Sequence, residues 1–513
     1  ELQGFRAFTS AGAAATAVAA GTDRFEKGPA FGAPVPKTAA TPNDWPDYRH
    51  DPRRSGATPA AAPSKAPALA WQWRPPHPRP PTEVSSGWRP QASETAELLP
   101  TQAVAVGGAI WFAGADGVAR RLDAADGRER WRHAIGSRIF AAPVWHEGRL
   151  YLGAADGWIY CLNADDGRRV WRFRAAPVER RILWYGHLAS TWPLTGGVLI
   201  HDGTLYAVAG FQSGYGVHAY ALDAATGELR WENHEAGGAQ GLDSACGAFG
   251  GLTVAGERLW FLGGGVLPSS FDLKTGAWQP MVNERFASSF RRGMDLCAVN
   301  DEWVLSGGRR LIQTFDVWLN KEKNAGYTLS RTAIQTVAGK QVCAGADIIE
   351  DSLLTPAFDD QLFIGGQDYG ARGRDGQVAA WSTADLVSRA DKGGPPISNF
   401  LKRQAPFYVS TLLADKKADA LPAGAQWGPV ALDAFDCVLA ANAVLVTHAT
   451  WKTEGRDRRL DQWRLSALAR EDGRILWSVN LPERPAWKGL SMDARGRVLV
   501  SLWDGSLAAW ATP

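Results

Sequence analysis

The stretch 179–192 reads ERRILWYGHLASTW and gathers side chains that could do chemistry. Arg180 and Arg181 can clamp a carboxylate or another anion through the guanidinium fork. Trp184, Tyr185 and Trp192 can stack a sugar ring or a planar ligand, and His187 can move a proton near neutral pH. The same residues would also suit an ordinary loop of packed aromatics and surface arginines. A second group is RRGMD at 291–295, where Arg292 and Asp295 either face a central channel or form a structural ion pair. Asp243 and Cys246 stand at the corresponding place one repeat earlier. Asp347, Glu350 and Asp351 could help hold a hard cation through oxygen ligands, or could simply be solvated loop acids.

Other chemistries are excluded by spacing. The nine histidines include no HxH, HxxxH or HExxH, so no zinc site is expected. No GxSxG elbow or Walker loop occurs, and the glycines of FLGGGVLPSS fit a passage from strand to turn. The net charge is +2 with no block of one sign, which argues against nucleic acid or an anionic membrane as the main partner. No run of about 18 apolar residues is long enough to span a bilayer. Residues 10–20 are small and apolar but lack the layout of a signal peptide. The five cysteines are scattered, so full internal pairing is not expected.

The elements that must position these residues are repeats. GGAIWFAGADGVARRLDAADGRERW (107–131) and EGRLYLGAADGWIYCLNADDGRRVW (147–171) align without a gap, with Trp131 and Trp171 40 residues apart. A third copy ends at Trp231 and a late one at Trp477, with weaker copies at 255–278, 300–316, 358–381 and 494–510. Each unit reads as an antiparallel meander, whose turn glycines supply positive φ and whose turn aspartates bond the turn backbone. A four-stranded unit of about 40 residues is the size of one propeller blade. Eight units fit between about residue 100 and the C-terminus. The expected fold is therefore an all-β, eight-bladed propeller. Its last unit lacks a fourth strand, which APALAWQWRP (66–75) can supply from the N-terminal side, closing the ring.

The run LDAATGELRW (222–231) and its cousins at 122–131 and 162–171 resemble the tryptophan-docking repeat of pyrroloquinoline-quinone (PQQ) dehydrogenases and of PQQ-like outer-membrane assembly lipoproteins. The lead-in DWPDYRHDPRRSGATP (44–59) is similar to the start of secreted bacterial propellers of this type. The resemblance implies that Trp131, Trp171, Trp231 and Trp477 are structural, each packed on a turn of the next blade. It also implies a periplasmic or extracellular location. The dehydrogenases hold PQQ with calcium beneath a vicinal disulfide. This sequence has no Cys-Cys and no matching acidic and Asn cluster, so no cofactor is assigned and PQQ with calcium stays an alternative.

The organisation expected is an arm over 1–65 and a propeller over 66–513, with a long insertion at about 382–426. In a meander, the first-to-second and third-to-fourth turns share one end, while second-to-third turns and blade links share the other. The first set is tight, and the long loops 175–192, 211–217, 232–246, 367–376, 382–424 and 450–461 are assigned to the second. Loops on a rigid scaffold are where sites are built. Three functions follow: a binding or scaffold module that takes a protein or polymer on this loop-rich face, a quinoprotein-type oxidoreductase with a small molecule in the central funnel, and a carbohydrate-binding propeller.

Overall fold

The computed structural model describes residues 24–35, 39–76, 100–184, 187–210, 215–236, 247–248, 250–261, 269–279, 296–301, 303–306, 310–313, 332–337, 340–345, 357–366, 377–384, 425–454 and 457–512. Every named element is a strand. The best-formed units are antiparallel meanders in sequence order. One runs Val104–Val106, Ala109–Phe112, Val118–Asp123, Glu129–Ala134, and the next runs Val144–His146, Arg149–Gly153, Trp158–Asn163, Arg169–Arg174. Like meanders cover 198–233, 253–279, 357–431 and 433–480, and a three-stranded piece covers 296–313. Two hairpins stand apart, Arg181–Trp184 with His187–Ser190 and Thr332–Val337 with Lys340–Gly345.

Period-2 alternation gives each sheet two apolar faces, which is why a strand such as Trp158–Asn163 is buried along its whole length. Ile159, Cys161 and Trp171 face the following sheet, against Leu205, Ala207 and Leu222. Leu150, Trp158 and Leu162 face the preceding one, against Val104 and Trp111. The first strands of neighbouring sheets also touch.

The docked tryptophans tie one sheet to the next. The Trp131 indole donates to the Ala164 carbonyl at 3.0 Å, and Trp231 donates to the Leu273 carbonyl at 2.9 Å. Each ring lies under the turn glycine of the next sheet: a Cβ on Gly167 would stand 2.6 Å from Trp131, and one on Gly276 2.5 Å from Trp231. Gly227 lies over Phe25 and Trp171, 2.5 and 3.0 Å from an added Cβ, and there the matching carbonyl, of Ala224, accepts from the Tyr151 hydroxyl at 2.8 Å instead of from the indole. Trp477 differs, because its indole donates to the Pro63 carbonyl in the N-terminal segment, at 2.6 Å.

Two readings of the sequence are revised. The unit at 358–381 ends on Trp381, but Trp381 lies in the third strand, Gln377–Ser382. Its docking tryptophan is Trp427 in the fourth strand, Ala425–Ala431, which donates to the Arg470 carbonyl at 2.6 Å beneath Gly473. The insertion between these strands is therefore a third-to-fourth connection. It leaves from the tight-turn end, not the loop-rich end to which it was assigned. A strand spacing stretched by some 40 residues hides the fourth strand from a repeat search.

The last sheet contains Pro485–Met492, Val498–Leu502 and Leu507–Ala511, and its fourth strand is Ala68–Trp73 from the N-terminal side. Leu69 pairs with Trp510 and Trp73 with Leu507. Trp71 donates to the Ala124 carbonyl at 3.0 Å and lies beneath Gly127, so the first and last sheets are joined by the same docking device.

Residues 45–58 run past the inner strands at the tight-turn end. Trp45 and Ala105 exchange both backbone hydrogen bonds. The amides of Trp145, Val254, Ala298, Phe358 and Leu439 donate to the carbonyls of Pro46, Pro52, Arg53, Ser55 and Gly56. These acceptors satisfy strand edges that would otherwise be open. The segment is buried and charged: Arg54 pairs with Asp47 at 2.6 Å, and Arg49 faces Asp436 at 4.0 Å, all four residues lying nearly out of solvent. Arg49, His50 and Arg54 adopt positive φ, a strain of about 1–3 kcal/mol each that the surrounding contacts must hold.

Candidate functional site

At the loop-rich end, the link after the 144–174 sheet forms the hairpin Arg181–Trp184 with His187–Ser190. Its register places Trp184 opposite His187 and Leu183 opposite Leu188. Leu183 and Leu188 are 52% and 64% exposed, and as a cross-strand pair they share one face. Trp184 packs against Phe140, with centroids 5.3 Å apart and ring planes at 60°.

The hairpin base is anchored by Trp192. This ring is buried, its indole donates to the Tyr215 carbonyl at 2.6 Å, and the Arg180 guanidinium lies over both Trp192 and Tyr215. The other side of Trp192 meets His218 edge-on, and His218 Nδ1 is 2.8 Å from His234 Nδ1. Two imidazole nitrogens at that distance share one proton. Burial first, then the neighbouring His234, pushes the His218 pKa down to about 4.

Arg181 faces a different place. It borders a cleft of about 390 Å³ on the second sheet, between the link at 135–137 and the hairpin. Leu188 and Ala189 line the same cleft from the second hairpin strand. The floor is Trp158, with the Arg172 guanidinium 4.2 Å above its ring and Arg174 at 6.0 Å. The Glu26 carboxylate, from the strand Phe25–Lys27, grips Arg172 with two hydrogen bonds of 2.7 and 2.8 Å. Tyr160 donates to Asp156 at 2.6 Å. Burial raises the Asp156 carboxyl above its usual range, although the Tyr160 bond opposes this, and burial raises the Tyr160 phenol as well. The arrangement can recognise a planar anion with guanidinium forks beside a hydrogen-bonding hydroxyl.

The motif 179–192 thus splits in two. Arg181 enters the cleft, while Arg180 and Trp192 join the aromatic–histidine anchor. Tyr185, Asp243, Cys246, Arg292, Asp295, Asp347, Glu350 and Asp351 lie outside the described residues. Sequence reasoning missed Glu26, Asp156, Tyr160, Arg172 and Arg174. The alternation in RRVWRFR carried a usable signal, because period 2 puts Arg172 and Arg174 on the face opposite Trp171 and Phe173. Glu26 had none, since its partner stands 146 residues away.

Comparison with known proteins follows this geometry. The family described as Outer membrane protein assembly factor BamB matches residues 71–182 and 159–378. No curated protein matches the chain. Among solved structures, the chain is similar to a quinohemoprotein alcohol dehydrogenase of Pseudomonas putida HK5, at 13% identity and a TM-score of 0.53 over 93% of this chain and 83% of that one. It is also similar to the quinohemoprotein alcohol dehydrogenase of Comamonas testosteroni, at 14% identity and a TM-score of 0.52 over 93% and 82%. At these identities the likeness is one of fold, and that fold is a β-propeller.

Such a fold raises the question of PQQ and its calcium. Among the described residues, no three metal-ligating side chains gather. Asp433 and Asp436 on an inner strand are engaged elsewhere: Asp433 accepts from the Trp451 indole at 2.6 Å, while Asp436 accepts from the Cys437 and Leu490 amides. The described residues do not fit the group.

Proposed function

The chain belongs to the PQQ-like repeat family described as Outer membrane protein assembly factor BamB, and on that premise we propose that it is an eight-bladed ring serving as a binding module through its loop-rich end. The eight units of the sequence, the fourth strand that Ala68–Trp73 lends to the last sheet, and the docking of Trp71 on the first sheet support a closed ring. The segment 45–58 bonds to the inner strands at the tight-turn end, which favours approach to the centre from the other. In this reading the protein works in the bacterial envelope or outside the cell. Among the described residues, no helix is long and apolar enough to cross a membrane.

The observation that carries this reading is the exposed Leu183–Leu188 pair on a hairpin that projects from the scaffold. Apolar side chains exposed together on a projecting element are a mark of an interaction surface. Leu183→Glu with Leu188→Glu tests it. The double variant should fold normally yet lose a partner that the unaltered protein captures from an envelope fraction. Equal capture by both proteins counts against the reading.

A second reading is a quinoprotein-type oxidoreductase, which the likeness of fold to two alcohol dehydrogenases along 93% of the chain favours. Reconstitution with PQQ and calcium, followed by dye-linked oxidation of alcohols and sugars, distinguishes the two. Quinone absorbance retained through gel filtration, together with turnover, would select the enzyme.

A further inference from the structure

The cleft beside the hairpin contains an internal ligand. Glu26 does not belong to the repeat. It arrives on the three-residue strand Phe25–Lys27, which adds to the outer edge of an already complete four-stranded sheet. Its carboxylate meets Arg172 in the two-bond fork by which arginine recognises free carboxylates. Neither partner is sealed from water, with side chains 37% and 28% exposed. The pair is part-exposed, so a competing carboxylate from solvent can reach Arg172.

Without Glu26, the cleft presents Arg172, Arg174 and Arg181 against Asp156 and Glu179. Asp156 is bound to the Tyr160 hydroxyl, and Glu179 reaches Arg181 at 3.0 Å from an exposed position. The space of about 390 Å³ falls within the usual range for small-molecule sites. The Tyr160 hydroxyl and the Asp156 carboxylate line the cleft with the arginine fork, and both are groups that can bond sugar hydroxyls. Trp158 lies under Arg172, so it stiffens the fork and leaves no open ring face for a purely apolar ligand.

We propose that this cleft binds a carboxylated sugar of the uronate class, whose carboxylate takes the seat on Arg172 that Glu26 holds in its absence. The strand Phe25–Lys27 is then a strap whose acid competes with the ligand. This goes beyond the partner surface of the hairpin, with which the cleft shares Leu188.

Calorimetric titration with trigalacturonate, maltotriose and tri-glutamate tests it on the full chain. Glu26→Ala and Glu26→Gln should both bind trigalacturonate at least fivefold more tightly than the unaltered protein. Arg172→Gln should lose the binding, and maltotriose should give no heat with any protein. The strap's backbone pairing does not involve the Glu26 side chain, so both Glu26 variants keep the strand, and thermal melts check that they and Arg172→Gln are folded. Equal affinity of the Glu26 variants and the unaltered protein overturns the proposal, as does binding to neither. Tri-glutamate binding as tight as trigalacturonate overturns the assignment to a sugar.

Discussion

The docking of tryptophan under glycine makes a matched-pair prediction. Gly167 and Gly203 have nearly the same backbone, with φ of +71° and +67°. Alanine at either place meets the left-handed penalty of about 1–2 kcal/mol. Around Gly203 nothing lies within 4 Å of an added Cβ, so that penalty is the whole cost. At Gly167 the added Cβ would stand 2.6 Å from Trp131 Cε3 and 2.7 Å from Cδ2, atoms of a rigid ring held by its bond to Ala164. The indole must withdraw. The lost hydrogen bond costs about 1 kcal/mol, and lost apolar contact about 1–2 kcal/mol more. Gly203→Ala should therefore cost about 1–2 kcal/mol and Gly167→Ala about 3–5 kcal/mol. Urea unfolding followed by far-ultraviolet circular dichroism measures both. Equal shifts in the two variants would refute the claim that docking, rather than turn geometry, fixes these glycines.

Other outcomes follow from buried charge and from the shared last sheet. Burial holds the His448 pKa down to about 4, with its Nε2 2.8 Å from Ser466. The unfolded chain binds the proton more readily, so this contribution is complete above about pH 6.5 and is lost as pH falls toward 4, about 2 kcal/mol of it by pH 5. His448→Gln should flatten the fall in urea midpoint between pH 7 and pH 5, and an unchanged slope would contradict the assignment. Arg49→Met leaves Asp436 buried without its cation and should cost about 3–5 kcal/mol, whereas Arg49→Met with Asp436→Asn should cost less than the separate losses combined; a double-mutant cycle by chemical denaturation reads the coupling, and strict additivity would deny it. Trp71→Ala should cost about 3–5 kcal/mol, because it removes both a core ring and the bond that ties the first sheet to the last, and a loss below 1 kcal/mol in the same assay would show that the joint carries little.

The scaffold was readable because its signals are local. A turn glycine, a turn aspartate and a tryptophan recur within one meander, and the resemblance of that run to a tryptophan-docking repeat marked Trp131 and Trp231 as docked. The joint through Ala68–Trp73 was readable for a related reason: the last unit lacked a strand, and APALAWQW had the pattern to supply it. Where spacing failed, the assignment failed with it. Trp427 follows a long insertion, so Trp381 stood in its place as the end of the unit. The site was less legible, because its contacts join distant parts of the chain. Arg181 could be picked out by its motif, but the fork on Arg172 is completed by Glu26, and the His218–His234 contact depends on the ends of two adjacent strands. Residue type told what Arg180 and Trp192 could do; only packing told that they brace the hairpin.

The two ends of the sheets carry different obligations. At the tight-turn end, inner-strand amides need acceptors, and the segment 45–58 supplies them from Pro46, Pro52, Arg53, Ser55 and Gly56. That end is closed by hydrogen bonds whose loss would expose strand edges, so change there is expensive. At the other end, the hairpin base rests on one buried ring, Trp192, and the rest of the hairpin projects. Sequence there can vary without opening a sheet, which is the condition under which a scaffold acquires a binding surface. The insertion between Ser382 and Ala425 obeys neither rule, because it departs from the closed end.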